Sequence, residues 1–389
     1  MNRNGRYSMK KRWIGFGIGI VCLAVGAVTF AGDFFEPDME KLPQKATSER
    51  TKDLGLAYIW DSPQEYHGKE SLAEHDQYYY GVLSAEEQQI YGEIYTAMCE
   101  KTEYAKVSTT DDEMIARIME YVLLDNPELF YVNTLQTQLT TVGGLSTMRV
   151  QASQNMTEAQ QEEALVQIQS WTKNCLLQCS ENMTDYDKAL LFYEYVVSNI
   201  EYVGDAPYNQ SLYSATLGQS VCRGYACAFK YLCDQVGIPC IIVSGTMDGQ
   251  SHAWNMAFLD GQWCHIDCTA GDDMSQAGIE IDYSWFGLND AMLEVSHVPS
   301  EPDMIPEADS MNNDYYYRNA LYFERCEFND ISWELSAGMD FSFQCSSYEV
   351  YEEYRNLLST SYEVGEVIGE SQVQFIGNNN TYTIFIFFE

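Results

Sequence analysis

The stretch Ser220-Val221-Cys222-Arg223-Gly224-Tyr225 reads as the start of a helix, with Ser220 as N-cap and Cys222 in the first turn. Behind it Tyr225, Ala226, Phe229, Leu232, Cys233 and Val236 recur at helical spacing, the stripe of a helix buried along one side. Gly237 closes that helix and Pro239 forbids its continuation. A cysteine at such an N-terminus meets free backbone N–H groups and the positive end of the helix dipole, which favour thiolate over thiol. A cysteine taken at random is more often a small buried hydrophobe. What the following segments bring to the same place decides between the two.

Apolar runs at 240–244, 251–259 and 262–269 read as strands. Asp260-Gly261, between the last two, is a strong two-residue turn signal. With that loop length Leu259 pairs with Gln262, Trp254 faces Asp267 and His252 faces Thr269. Pairing partners share a face and alternate residues return to it, so His252, Trp254, Asp267 and Thr269 point to one side. His252 and Asp267 become diagonal neighbours. A cysteine at a helix start with His and Asp on adjacent strands suits nucleophilic thiol catalysis: the His moves the thiol proton, and the Asp fixes the imidazole tautomer and stabilises its charge. The same residues also fit a core histidine bonded to a strand carboxylate beside an inert cysteine.

The segments Cys222-Arg223-Gly224-Tyr225-Ala226, Gly237-Ile238-Pro239-Cys240, Ser251-His252-Ala253-Trp254-Asn255 and Trp263-Cys264-His265-Ile266-Asp267 resemble, in order and spacing, the transglutaminase-like superfamily. Residues 283–289 with Asp290 and Met292 resemble the block that follows the core in bacterial members, and Asp125-Asn126-Pro127-Glu128-Leu129-Phe130 resembles a short motif of their N-terminal regions. The core resemblance covers about residues 184–300. Where the family often has Pro-Thr-Trp-Asp after the Asp, this chain has Cys268-Thr269-Ala270-Gly271, which bears on substrate contacts more than on chemistry. The resemblance implies an α+β, papain-like fold with Cys222 as nucleophile, His252 as general base and Asp267 as the orienting acid. The Cys222 backbone N–H is then a candidate oxyanion donor, Gln219 a weaker one, and Trp254 either a wall of the acyl pocket or hairpin core. Arg223 reads as a solvated surface residue, with pairing to a nearby acid or a substrate carboxylate as its alternative, and His265, opposite Met256, as structural.

The chain has 389 residues with a formal net charge of -37, which argues against nucleic acid and anionic lipid surfaces as partners. Arg3, Arg6, Lys10, Lys11 and Arg12 precede an uncharged run at 13–31, a pattern expected to anchor an exported chain with its positive flank inside, or to be cleaved near Ala31. Localisation is therefore expected to be extracytoplasmic. The expected organisation is an anchor at 1–32, a stalk at 33–80, an α-rich region at 81–182, the catalytic domain at 183–300 and a small α/β domain at 301–389. Within these, capping boxes are expected at Ser84/Glu87 and Thr110/Glu113. A long helix is expected at 157–179, a helix capped by Thr184 after it, and a late strand, helix and hairpin turning at 377–380.

Twelve cysteines in an exported chain would ordinarily suggest disulfides, but Cys175 and Cys179 have helical spacing. Cys264 and Cys268 on one strand would lie roughly 13 Å apart, beyond bridging distance. Most thiols are expected to be buried and reduced. Cys222, Cys227, Cys233, Cys264, His265 and Cys268 show no paired spacing of a zinc site, so neither metal nor cofactor is expected. The expected function is cysteine-dependent processing of amides in protein or peptide substrates of the cell envelope, by hydrolysis or acyl transfer. The rival is a surface binding or scaffold protein that keeps the fold without turnover.

Overall fold

The computed structural model describes residues 77–99, 104–142, 144–274, 278–368 and 373–388. The expected anchor and most of the expected stalk lie outside these residues, and among the described ones no helix is long and apolar enough to cross a membrane. The end of the stalk is helix α1 (Tyr78–Val82), followed by α2 (Ala85–Cys99), strand β1 (Ala105–Val107) and α3 (Asp112–Asp125). Ser84 and Glu87 form the expected reciprocal cap. The cap of α3 is instead Asp111, one residue beyond Thr110: its carboxylate accepts from the N–H groups of Glu113 and Met114, a stronger acceptor than a hydroxyl. Asp125 and Asn126 are buried where α1, α2 and α3 meet. Asp125 accepts from the backbone of Tyr79 and Tyr80 and from the Tyr91 hydroxyl, and burial pushes it up to about 6.

A long hairpin of β2 (Val132–Val142) and β3 (Leu145–Gln154) turns at Gly144 and takes β1 on the outer edge of β3. Helix α4 (Glu158–Leu176) starts on a Thr157/Gln160 capping box and stops three residues before Cys179. Helix α5 (Asp185–Asn199) starts on Thr184 with Asp187. Between it and the cysteine helix lie β4 (Glu201–Tyr202), α6 (Leu212–Thr216) and β5 (Gln219–Ser220), β4 and β5 pairing in parallel.

Helix α7 (Cys222–Val236) buries the stripe its spacing describes: Tyr225, Ala226, Phe229, Leu232 and Cys233 are in the core. Gly237 is left-handed (φ 75°) and the Ile238 N–H returns to the Cys233 carbonyl at 3.0 Å, the Schellman closure. Behind α7 lies an antiparallel sheet in the order β10-β6-β7-β8-β9, built from β6 (Cys240–Met247), β7 (Gln250–Leu259), β8 (Gln262–Ile266), β9 (Phe286–Leu288) and β10 (His297–Pro299). The β7–β8 register has Leu259 opposite Gln262, Met256 opposite His265 and Asn255 opposite Ile266, as the turn signal requires. Asp260 and Gly261 both have positive φ, 50° and 86°, the type I′ turn that matches strand twist. β8 is shorter than expected. It ends at Ile266 because Asp267 caps α8 (Cys268–Asp272) instead of continuing the ladder, so Thr269 is helical.

One continuous core joins α1–α7, the sheet and residues as far as Ala308. Short helices α9 (Asp290–Leu293) and α10 (Tyr315–Arg318) lead to a four-stranded sheet in the order β11-β12-β14-β13. It comprises β11 (Tyr322–Phe323), β12 (Phe341–Cys345), β13 (Val373–Asn378) and β14 (Thr383–Phe388), packed with α11 (Phe328–Ala337), α12 (Tyr348–Thr360) and α13 (Tyr362–Ile368) around their own core. The β13–β14 turn rests on the unit of the five-stranded sheet: Asn378 donates to Asp282 at 3.0 Å and Asn380 to Asp248 at 3.2 Å.

Candidate active site

Ser220 is not the cap of α7. Its hydroxyl donates to the Asn209 carbonyl at 2.6 Å, the Val221 N–H joins the same carbonyl at 2.8 Å, and Val221 holds the N-cap position without a side-chain acceptor. The N–H groups of Cys222 and Arg223 in the first turn of α7 therefore receive no side-chain cap, and an anion can use them. Gly224 makes this packing possible: a Cβ there would lie 1.8 Å from the Ser220 Oγ and 3.1 Å from the Ser211 carbonyl oxygen. The glycine of the Cys-Arg-Gly segment thus lets α7 pass over the segment that aims Cys222.

His252 rises from β7 opposite Gly245 of β6. Its Nε2 lies 2.7 Å from Asp267 Oδ2, and Cys222 is near enough to the same ring to raise it. With Nε2 committed to the carboxylate, Nδ1 is the nitrogen left for the sulfur. The side chain of His252 is 9% exposed and that of Asp267 1%. Burial works against a charged imidazole, yet the Asp267 carboxylate and Cys222 outweigh it and push His252 up to about 10. Burial also opposes the Asp267 charge, but His252 and His297 hold that carboxyl well below its usual range. Register reasoning brings His252 and Asp267 together, and the structure brings Cys222 to them.

Asp267 also receives a partner the sequence reading does not contain. His297, on edge strand β10, donates from Nε2 to Asp267 Oδ2 at 3.0 Å, and its Nδ1 lies 2.8 Å from Ser296 Oγ. The other carboxylate oxygen, Oδ1, accepts from the N–H groups of Thr269 at 2.9 Å and Ala270 at 3.0 Å. A charge buried this deeply needs such a set of donors.

Trp254 shares the face of His252 but is buried at 1% exposure, so it does not wall an open acyl pocket. Its ring lies nearly parallel to His252 (6.1 Å between centroids, 17°) and edge-on to His297 at 5.0 Å. Its indole N–H donates to His265 Nδ1 at 3.1 Å, and His265 Nε2–H donates to Asp290 at 2.8 Å. His265 therefore acts one step behind the site, through Trp254. Arg223 is not a solvated surface residue, since it pairs with Glu120 of α3 at 2.6 Å. Gln219 is exposed on β5, and no hydrogen bond joins its amide to His252 or Asp267.

No disulfide joins the described cysteines. Burial pushes Cys227 up to about 11 and raises Cys175, Cys264 and Cys345 further, so these thiols are poor nucleophiles. The cysteines weighed for zinc do not converge. Among the described residues the ligand atoms that do are those of His252, Asp267 and His297, within 4.8 Å of one another. Their 2.7 and 3.0 Å separations are those of imidazole N–H groups bonded to a carboxylate, which accounts for their convergence without an ion.

An α+β, papain-like arrangement follows, with the cysteine at the start of a buried helix and the His and Asp on the sheet packed behind it. Residues 169–268 match the family described as the transglutaminase-like superfamily, so the chain carries a transglutaminase-like domain there. The matched segment contains Cys222, His252 and Asp267 and stops short of His297. A TGase crystal structure shares 16% identity at a TM-score of 0.26, over 35% of this chain and 44% of that one. A candidate cysteine protease from Cytophaga hutchinsonii gives 16% and 0.24, over 37% and 69%. A candidate protease from Parabacteroides distasonis gives 7% and 0.22, over 34% and 35%. This chain thus spans less than half the length of the first of these. No curated protein matches the sequence.

Proposed function

We propose that this chain is an exported, cysteine-dependent amide-processing enzyme that works through a thioester. Cys222 is its nucleophile, His252 its proton carrier, and Asp267 the group that orients the imidazole and holds its charge. The observation that supports this most is the placement of one ring: His252 is bonded through Nε2 to Asp267 at 2.7 Å, which leaves Nδ1 for Cys222, whose influence helps to raise the same imidazole. At about 10, His252 already carries its proton at neutral pH, so the sulfur meets an imidazolium in the resting site. That sharpens the role from a base awaiting the thiol proton to a preformed cation beside the sulfur.

In the proposed reaction the sulfur attacks an amide carbonyl carbon. Negative charge gathers on the carbonyl oxygen near the uncapped N–H groups of α7. The C–N bond breaks as His252 Nδ1 gives its proton to the departing amine, leaving a thioester and a neutral imidazole. Water or a second amine then attacks the thioester and loses a proton to Nδ1. Release of the Cys222 sulfur as thiolate restores the starting pair. Water gives hydrolysis or deamidation, and an amine gives transfer. The basic flank and uncharged run of residues 1–31 support an anchored, extracytoplasmic setting with protein or peptide substrates of the envelope.

The test is mass spectrometry of peptide libraries incubated with the full chain, with and without an added primary amine, comparing wild type with Cys222→Ala. Amine incorporation means transfer, Gln converted to Glu means deamidation, and new termini mean proteolysis. If no Cys222-dependent product forms and an alkylating probe labels several cysteines at equal slow rates, the enzyme reading is overturned and the scaffold reading stands.

A further inference from the structure

We infer that His297 is a positioning residue for this site: it holds the Oδ2 of Asp267 where His252 needs an acceptor, and thereby sets the angle of the His252 ring against Cys222. This rests on the proposed roles of Cys222, His252 and Asp267, and adds a fourth residue from outside the matched domain.

The case begins with the freedom left to Asp267. Its two backbone donors, the N–H groups of Thr269 and Ala270, both bind Oδ1. Two bonds to one oxygen pin that oxygen and leave the carboxylate free to swing about it, carrying Oδ2 along an arc. His252 bonds to Oδ2 but is itself the ring that must be oriented, so it cannot also be the fixed point. His297 supplies the third anchor, bonding the same Oδ2 at 3.0 Å from an independent strand. Three anchors from two elements leave the carboxylate one orientation.

An anchor must itself be held, and His297 is. Its far nitrogen lies 2.8 Å from Ser296 Oγ. Trp254, Trp285 and His252 enclose the ring at centroid distances of 5.0, 5.3 and 5.4 Å. Strand β10 is fixed to β6 with His297 opposite Met247 and Pro299 opposite Gly245. Gly245 keeps the space that Trp254 occupies, since a Cβ there would lie 2.8 Å from the indole Cη2. A histidine that merely satisfied its own polar atoms would contribute to stability and nothing else. One that fixes Oδ2 also controls how Cys222 reacts, and the two differ in what a substitution moves.

The experiment compares full-length wild type, His297→Leu and His297→Gln. Leu fills similar space without a donor, whereas the Gln side-chain amide reaches about as far as the imidazole Nε2. The first readout is the rate of Cys222 alkylation by iodoacetamide at neutral pH, followed by peptide mass spectrometry. It needs no substrate. His297→Leu is expected to slow it roughly tenfold or more, as small misplacements in such sites do, and His297→Gln to restore it to within about threefold. The second readout is turnover on any peptide the library assay identifies, where kcat should fall with KM unchanged. A folded His297→Leu protein that alkylates at the wild-type rate overturns the inference. If that variant does not fold, Ser296→Ala decides, because it loosens His297 without touching Asp267: a rate reduced several-fold supports the inference and an unchanged rate overturns it. Failure of the catalytic reading looks different, since wild-type Cys222 would then react no faster than the other cysteines. The His297–Asp267 coupling would in that case be read from the His252 imidazole NMR titration in the same variants.

Discussion

Replacing Asp267 by Asn should destabilise the protein by an amount that depends on pH in a way the structure fixes. The side-chain oxygen of Asn can keep the N–H groups of Thr269 and Ala270. Its NH2 would then face the Nε2–H groups of His252 and His297, donor against donor, where Asp267 now accepts from both. His252 would lose the partner that raises it and, buried as it is, would be neutral at pH 7. In the wild type, His252 is raised from about 6.5 to about 10. A raised folded-state value contributes stability that is complete below the unfolded value and is lost as pH climbs through the folded one. At pH 7 a shift of that size is worth on the order of 4 kcal/mol; Asp267 is its largest raising cause and Cys222 a smaller one, so the loss should approach the roughly 3–5 kcal/mol expected when one partner of a buried ion pair is removed. The difference between wild type and Asp267→Asn should then shrink by about 1.4 kcal/mol per pH unit up to about pH 10. Urea unfolding of both proteins at stepped pH measures it. The tyrosines and other thiols that titrate in the alkaline range are common to both proteins and cancel in the difference. A difference that stays flat between pH 7 and 10 would refute the ion pair.

Three further outcomes follow from packing and pairing. Gly245→Ala places a methyl 2.3 Å from the Val298 carbonyl oxygen and 2.8–2.9 Å from the Trp254 ring; it should cost about 1–3 kcal/mol, read by urea denaturation, and slow Cys222 alkylation because the displaced indole borders both histidines. Trp254→Phe keeps a ring but leaves the buried His265 Nδ1 without the indole donor, a loss of about 1–3 kcal/mol that thermal unfolding should show with the secondary structure unchanged by circular dichroism. Lys230 is buried on α7 and bonded to both oxygens of Asp234 at 2.9 and 3.0 Å. Asp234→Ala should therefore destabilise by roughly 3–5 kcal/mol, and the double change with Lys230→Met should recover much of that loss, as a double-mutant cycle would show.

Local chemistry made much of the core legible. The Asp260-Gly261 turn needs two positive φ values and gets them, so the pairing of β7 with β8 and the shared face of His252 and Asp267 follow from loop length alone. The α7 stripe was equally readable, because Tyr225, Phe229 and Leu232 admit one buried side. What went astray involved residues with two acceptable partners. Ser220 is a good cap by type, yet its hydroxyl goes to the Asn209 carbonyl eleven positions earlier, a contact that depends on how the segment carrying α6 folds back. The apolar neighbours of Asp267 suit a strand, whereas its carboxylate meets the N–H groups of the next turn and starts α8. His297 was missed for another reason. A three-residue edge strand has no periodicity to detect, and its partner lies thirty positions away in sequence. The usable signal was scarcity: the chain has five histidines, and three of them follow Cys222 within the compact core.

Stability and chemistry divide unevenly over the candidate site. Asp267 ends β8, caps α8 and anchors two imidazoles, so any change there alters the fold and the site together. His252 and His297 are tied to it through the same oxygen. Cys222 is different: it lies half-buried at a helix start that has no side-chain cap, no strand register depends on its sulfur, and its share in raising His252 is smaller than that of Asp267. Cys222→Ala should therefore remove chemistry while changing stability by no more than about 1 kcal/mol. That makes it the control against which the other variants are read. A loss of product formation in Cys222→Ala at unchanged urea midpoint belongs to the sulfur. A comparable loss in Asp267→Asn has to be separated from destabilisation, by working above pH 9, where the stability gap between that variant and the wild type is expected to have narrowed.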